Sequence, residues 1–149
     1  MENEKSIDAL NELIEINNDR LEGYDTAAKE TDAADLKMLF ANMKATSFDN
    51  LQELLAEVTR LGGKAEEGTR VTGKFFRAWM DVKAALTGND RETILNSCEF
   101  GEDKALDTYE HVLEDHRESL SSEQLAMVRA QQANLRADHD RIKALRDAE

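Results

Sequence analysis

The chain has 149 residues, with no proline, seven glycines, one cysteine and a formal net charge of −13. Helix-forming residues dominate and proline is lacking, so the composition predicts an all-α fold, and the length suits a single domain over residues 1–149. The negative charge disfavours nucleic acid and anionic membrane surfaces as partners.

Targeting signals and cysteine usage limit the cellular location. The charged N-terminus contains no apolar leader, and no apolar run approaches the length of a membrane span. The lone cysteine, Cys98, cannot form a disulfide within the chain and has no Cys or His cluster around it. We therefore expect a cytoplasmic protein with no membrane partner.

Two segments with helical periodicity fill the first part of the chain. Apolar residues recur at steps of three and four over about 6–30, where Ser6 can cap the first helix, and again over about 32–61. Gly62 supplies the left-handed end of the second helix. Because the turn between these helices is short, we expect them to form an antiparallel hairpin.

Three further helices are predicted in the second part of the chain. A short helix over about 74–87 precedes two longer ones, over about 90–117 and about 122–147. Ser121 and Gln124 form a capping-box pair at the start of the last helix. The segment before about residue 90 is long enough to run back along the first hairpin. The pattern therefore predicts a four-helix bundle of two hairpins, joined by a long crossover that contains the short extra helix.

Matching residues occur on the two hairpins. Glu102, Ala105 and Tyr109 follow the order Glu-x-x-Ala-x-x-x-Tyr, and Asn17 precedes Tyr24 by the same seven residues. This pattern resembles the metal-binding Glu and buried Tyr of the ferritin-like superfamily, which implies a ferritin-like four-helix bundle. The segments that resemble a narrower bacterial group in this superfamily, domain of unknown function 2383, are 12–24, 60–63, 79–83, 98–103 and 137–140. That resemblance covers nearly the whole chain and implies the fold but no reaction.

The same resemblance implies six positions for a di-metal centre. They are Asn17, Ser47, Asn50, Glu102, Gln132 and Leu135. Only Glu102 among them is a usual ligand, whereas iron and manganese centres need several carboxylates and imidazoles. A di-iron oxidase or ferroxidase is therefore not expected, and the chain is predicted to be non-enzymatic and to need no cofactor.

Two interpretations of the polar residues stay open. In the first, side chains on the inner helix faces form a hydrogen-bonded core layer in which amides donate to the Glu102 carboxylate. This layer consists of Asn17, Ser47, Asn50, Glu102, Gln132, Tyr24 and Tyr109. The bundle is then a structural or protein-interaction protein whose partner is another protein or a second copy of itself. In the second interpretation, Glu102 binds one iron, manganese or zinc ion together with Glu99 and His139.

The other chemically active residues are predicted to have simpler roles. Arg20, which lies among the carboxylates of the first helix, is expected on a solvated face. His111 and His116 are expected to be solvated residues that compensate the charge of nearby carboxylates. Cys98 is expected in the core, where a neighbouring carboxylate would raise its pKa.

Overall fold

The computed structural model describes residues 2–65 and 91–148. These residues form four α-helices and one short 3₁₀ helix, and the described part of the chain has no β-strand. The elements are α1 (Glu2–Glu30), α2 (Ala34–Arg60), α3 (Arg91–Asp115), the 3₁₀ helix (Arg117–Ser119) and α4 (Ser122–Asp147). The predicted all-α helical bundle is confirmed. The predicted helix over 74–87, and with it the crossover, lies outside the described residues.

The starts of α1 and α4 agree in part with prediction. α1 begins at Glu2, ahead of Ser6, whose hydroxyl instead donates a hydrogen bond to the Ser119 carbonyl. Ser121 caps α4 as predicted: its hydroxyl oxygen accepts from the Gln124 N–H at 3.1 Å, and the Gln124 side chain accepts from the Ser121 N–H at 2.9 Å. This reciprocal pair satisfies two donors that the first turn of a helix otherwise leaves free.

α2 ends in the predicted left-handed turn. Gly62 has a φ of 79°, a conformation that glycine adopts without a steric penalty. The N–H groups of Gly62 and Gly63 donate to the carbonyls of Thr59 and Val58, both at 3.0 Å. This pairing satisfies carbonyls at the end of the helix and turns the chain sharply away from its axis.

The four helices pack around one central axis. α1 lies along α2 and α3 lies along α4, which makes two hairpins, while α1 also contacts α3 and α2 also contacts α4. Each helix therefore turns one face toward the centre. None of the helices in the described part of the chain combines the length and the apolar character that a bilayer crossing requires.

The buried apolar side chains form two clusters at different levels of the bundle. The cluster nearer the 3₁₀ helix includes Leu13, Leu54, Val112 and Leu135. The cluster nearer the turn between α1 and α2 includes Phe40, Leu95 and Ile142. Burying each such side chain contributes about 1.5–3 kcal/mol. Along every helix, buried polar residues lie between these two clusters, and the clusters shield them from water.

Candidate functional site

Polar side chains from all four helices meet between the two apolar clusters. They are Arg20 and Tyr24 of α1, Ser47 of α2, Glu102 of α3 and Asp138 of α4. Asp138 is 6% exposed and the other four are completely buried. Arg20 lies four residues before Tyr24, so the two side chains share the inner face of α1. A cation and two carboxylates therefore occupy one small volume at the centre of the bundle.

Arg20 and Glu102 form a bidentate ion pair. Nη2 of Arg20 lies 2.9 Å from Oε1 and 3.1 Å from Oε2 of Glu102, and Nε lies 3.1 Å from Oε1. Nη2 also lies 3.2 Å from Oδ2 of Asp138. On its other side, Nη1 donates to the Ser47 hydroxyl oxygen and, at 3.5 Å, to the Met43 carbonyl. From its place on α1 the guanidinium thus contacts α2, α3 and α4.

Tyr24 donates a further hydrogen bond to Glu102. Its hydroxyl donates to Oε1 of Glu102, and the Arg20 guanidinium lies 5.4 Å from the centre of its ring. Burial, followed by the charge of Glu102, raises the pKa of Tyr24 well above its ordinary value, so the hydroxyl stays a donor. Burial alone would lower the pKa of Arg20, but the negative groups around it, Glu102 foremost, outweigh that effect and raise this pKa. The centre therefore holds a permanent cation.

A ring of amides and one tyrosine lies next to this ion pair. Nδ2 of Asn17 donates to the Tyr109 hydroxyl oxygen at 2.8 Å, and Nδ2 of Asn50 donates to Oδ1 of Asn17 at 3.2 Å. The Tyr109 hydroxyl donates to Oε1 of Gln131 at 2.7 Å. Nε2 of Gln131 then donates to the Asn50 carbonyl at 3.3 Å. These bonds close a ring through all four helices, which pairs polar groups that burial would otherwise penalise.

The structure brings six of the seven predicted layer residues into these two groups and leaves one outside. The Gln132 amide donates to the Glu110 carboxylate at 2.9 Å, at the edge of the bundle. Gln131, one residue earlier, is completely buried and closes the ring. One residue corresponds to a rotation of about 100° around a helix. The prediction therefore assigned the buried polar residue of α4 one position too late.

The donors to Glu102 also differ from the prediction. The sequence interpretation has amides donating to Glu102, whereas Arg20 and Tyr24 donate to it and the amides bind one another. The prediction that Arg20 is solvated is wrong, because its side chain is completely buried. The steps of three from Asn17 and four to Tyr24 are the signal that places Arg20 on the inner face. Its charge alone favours solvent, since arginine is rarely buried without a partner.

The positions implied for a di-metal centre do not form one. Glu102, the one usual ligand among them, already accepts from the Arg20 guanidinium with both oxygens. Leu135 is an apolar core residue, and Gln132 lies at the edge. A metal ion beside Glu102 would also be repelled by the buried guanidinium at close range. The residues present therefore do not fit a di-metal centre.

Glu99 and His139, predicted to bind an ion with Glu102, come together without it. Asp103 is the third member of their group, in which one ligand atom of each residue lies within 4.8 Å of the others. Nε2 of His139 is 2.7 Å from Oδ1 of Asp103, and Nη1 of Arg146 is 2.6 Å from Oε2 of Glu99. Arg146 thus competes with any cation for the Glu99 carboxylate.

Cys98 is buried in the core, as predicted. Burial, and after it the charge of Glu102, raises the pKa of the thiol. Because the thiolate is the nucleophilic form, this thiol is a poor nucleophile.

Comparison with known proteins places the chain in a family. A family model described as a domain of unknown function (DUF2383) matches residues 5–115, which is most of the chain. A search of the curated proteins finds no match. The matched range includes most of α1 and all of α2 and α3, and with them the ion pair between Arg20 and Glu102. The chain therefore belongs to the DUF2383 family, as its sequence resemblance predicted.

Proposed function

We propose that this chain is a non-catalytic ferritin-like bundle that serves as a structural or protein-interaction protein. The observation that carries the proposal is that both carboxylate oxygens of Glu102 already accept hydrogen bonds from this chain's own side chains. Both of its oxygens accept from Arg20, and one of them also accepts from Tyr24. Where a ferritin-like protein would hold metal ions between its helices, this chain supplies a cation of its own.

The burial of the centre supports a structural role. Arg20, Tyr24 and Glu102 are all completely buried, so none of these groups faces solvent. Catalytic acids and bases work best with pKa values near the operating pH, whereas burial raises the pKa of Tyr24 and Cys98 away from it. These groups are suited to holding helices together rather than to exchanging protons or attacking a substrate.

Iron binding and iron oxidation test this proposal. The untagged full chain is loaded anaerobically with iron(II) and analysed for metal beside Glu102→Gln, which keeps the side-chain size and removes the charge. We expect the same metal content in both proteins, and iron(II) oxidation in air no faster than in buffer. Stoichiometric metal that is lost in Glu102→Gln, or accelerated oxidation by the wild-type chain, would overturn the proposal. The oxidation assay decides even if the variant does not fold.

A second candidate function is metal binding between α3 and α4. The observation that favours it is the convergence of Glu99, Asp103 and His139. Nδ1 of His139 lies 3.2 Å from Oδ1 of Asp140, and such a carboxylate orients a histidine for a metal. Arg146 opposes binding because it pairs with Glu99.

Manganese and zinc titrations test this second candidate. If the group binds either ion, His139→Ala should remove one bound ion per chain and Arg146→Ala should strengthen its binding. An equal number of bound ions with equal affinity in the wild-type chain and in His139→Ala would exclude the group as a metal site.

A further inference from the structure

A different group of potential ligands lies where α1 meets the C-terminal end of α3. Glu12 of α1, His111 of α3 and His116, which precedes the 3₁₀ helix, each offer one ligand atom within 4.8 Å of the others. Their side chains are 30%, 50% and 29% exposed. The group therefore lies near the surface of the bundle, in contrast to the buried centre.

The spacing of these atoms is too long for hydrogen bonds and close to that of ligands around one ion. Nε2 of His111 lies 3.7 Å from Oε2 of Glu12, and Nε2 of His116 lies 3.9 Å from Oε1. Hydrogen bonds between nitrogen and oxygen measure about 2.7–3.2 Å. Two ligands of a tetrahedral zinc ion, each bound at about 2.0–2.1 Å, stand about 3.3 Å apart. Each histidine therefore lies about half an ångström farther from Glu12 than two ligands of one zinc ion would stand, and all three ligand atoms lie within 4.8 Å of one another.

One oxygen of the Glu12 carboxylate lacks a hydrogen-bond donor among the described residues. This oxygen, Oε2, is buried and has no hydrogen-bond partner in the described part of the chain. Within residues 2–65 and 91–148, the two histidines are its ion-pair partners, both at more than hydrogen-bond length. Desolvating a carboxylate oxygen without a donor costs free energy, and a bound cation offsets that cost.

Asp115 orients His111 toward Glu12. Oδ2 of Asp115 lies 2.6 Å from Nδ1 of His111, one helical turn away. When the carboxylate accepts the Nδ1 proton, the lone pair of Nε2 is left directed at Glu12. Histidines that bind metals usually donate their other ring nitrogen to such a carboxylate. The His116 ring meets the His111 ring edge to face, with 5.4 Å between centroids, so both imidazoles face one volume.

We propose that Glu12, His111 and His116 form a binding site for one zinc ion. Two imidazoles and one carboxylate are a ligand set that zinc accepts, with a fourth position left to water. Manganese and iron(II) bind such sites more weakly than zinc does. This group has two histidines and lies near the surface, whereas the group of Glu99 has one histidine and an arginine in competition. The ion would join α1 to the end of α3 and so link the two hairpins.

Zinc titration calorimetry of the untagged full chain tests the proposal. We expect one equivalent of zinc to bind at this site and to raise the melting temperature. His111→Ala and His116→Ala should each lower the affinity of that equivalent by at least about tenfold, and Asp115→Asn, which acts through His111, by about tenfold. His139→Ala is the matched control, because it removes a histidine from the other group, and it should leave this equivalent unchanged.

Two results would overturn the proposal. One is a wild-type chain that binds no zinc and melts at the same temperature with and without it. The other is zinc binding that persists in both His111→Ala and His116→Ala but is lost in His139→Ala, which would place the ion between α3 and α4. Because His111 and His116 lie at the surface, both variants should fold, and their helical circular dichroism without zinc checks this.

Discussion

Replacing Arg20 with methionine removes the buried cation and leaves Glu102 as an unpaired charge in the core. The structure gives Arg20 three contacts of 2.9–3.1 Å to Glu102 and one of 3.2 Å to Asp138, with Arg20 and Glu102 both completely buried. Breaking a buried pair of this kind costs about 3–5 kcal/mol. Because 1 kcal/mol corresponds to about 2–4 °C in a domain of this size, the melting temperature of Arg20→Met should fall by about 6–20 °C.

The double variant Arg20→Met/Glu102→Leu distinguishes the contribution of the ion pair itself from the cost of leaving one of its charges unpaired. Removing both charges leaves no isolated charge at Glu102, and apolar replacements of buried pairs are often neutral. The double variant should therefore lose less stability than Arg20→Met alone. Lys44→Met is the control, since Lys44 forms a half-exposed ion pair with Asp25 on the surface, and it should change stability far less.

Urea unfolding followed by helical circular dichroism measures five proteins: the wild-type chain, Arg20→Met, Glu102→Leu, the double variant and the Lys44→Met control. The reasoning is refuted if Arg20→Met costs less than about 1 kcal/mol, as an exposed substitution would. It is also refuted if the double variant costs the sum of the two single variants, because independent sites add and a coupled pair does not.

Three further results are expected. Burial raises the pKa of Tyr109 above its ordinary 10.0. Above that pH the unfolded chain loses the Tyr109 proton while the folded chain keeps it, so the free energy of unfolding falls as the pH rises. In alkaline urea titrations, Tyr109→Phe should make this fall less steep by about 1.4 kcal/mol per pH unit. Gly63→Ala puts a Cβ 2.6 Å from Cδ1 of Ile7 and should cost about 1–3 kcal/mol, whereas unchanged urea stability would show that Ile7 moves freely. Ser121→Ala breaks the capping box with Gln124 and should cost about 1 kcal/mol by the same assay, with Ser122→Ala as the neutral control.

Helical periodicity and turn chemistry predict most of the fold. The apolar steps locate four helices, and Gly62 and Ser121 locate two of their ends, because a left-handed turn and a capping box depend on adjacent residues only. The start of α1 is missed, since Ser6 can cap a helix by residue type but binds Ser119 instead. The hydrogen bond between Ser6 and Ser119 joins residues that are distant in sequence, so no local pattern predicts it.

The buried site is predicted less completely than the fold. The family resemblance and helical spacing together predict six inner-face polar residues, but they do not predict Arg20, because an arginine among carboxylates is usually solvated. Its burial requires Glu102 from another helix to compensate the charge. If amides donated to Glu102, a glutamine there could accept the same hydrogen bonds and Glu102→Gln would be tolerated, whereas the ion pair predicts that this change strands the guanidinium. The difference arises from a partner that no local pattern reveals.

The long sequence separation of the central pair has a consequence for how the chain folds. Glu102 lies 82 residues after Arg20, and Asp138 lies 118 residues after it. While α1 and α2 associate alone, Arg20 has the Ser47 hydroxyl and the Met43 carbonyl as acceptors but neither carboxylate, so water must solvate the rest of its charge and the inner face of that hairpin cannot become dry. Desolvation of the arginine must await the arrival of α3 and α4. The two hairpins should therefore lose structure together in a single cooperative transition, with neither persisting as a stable fragment.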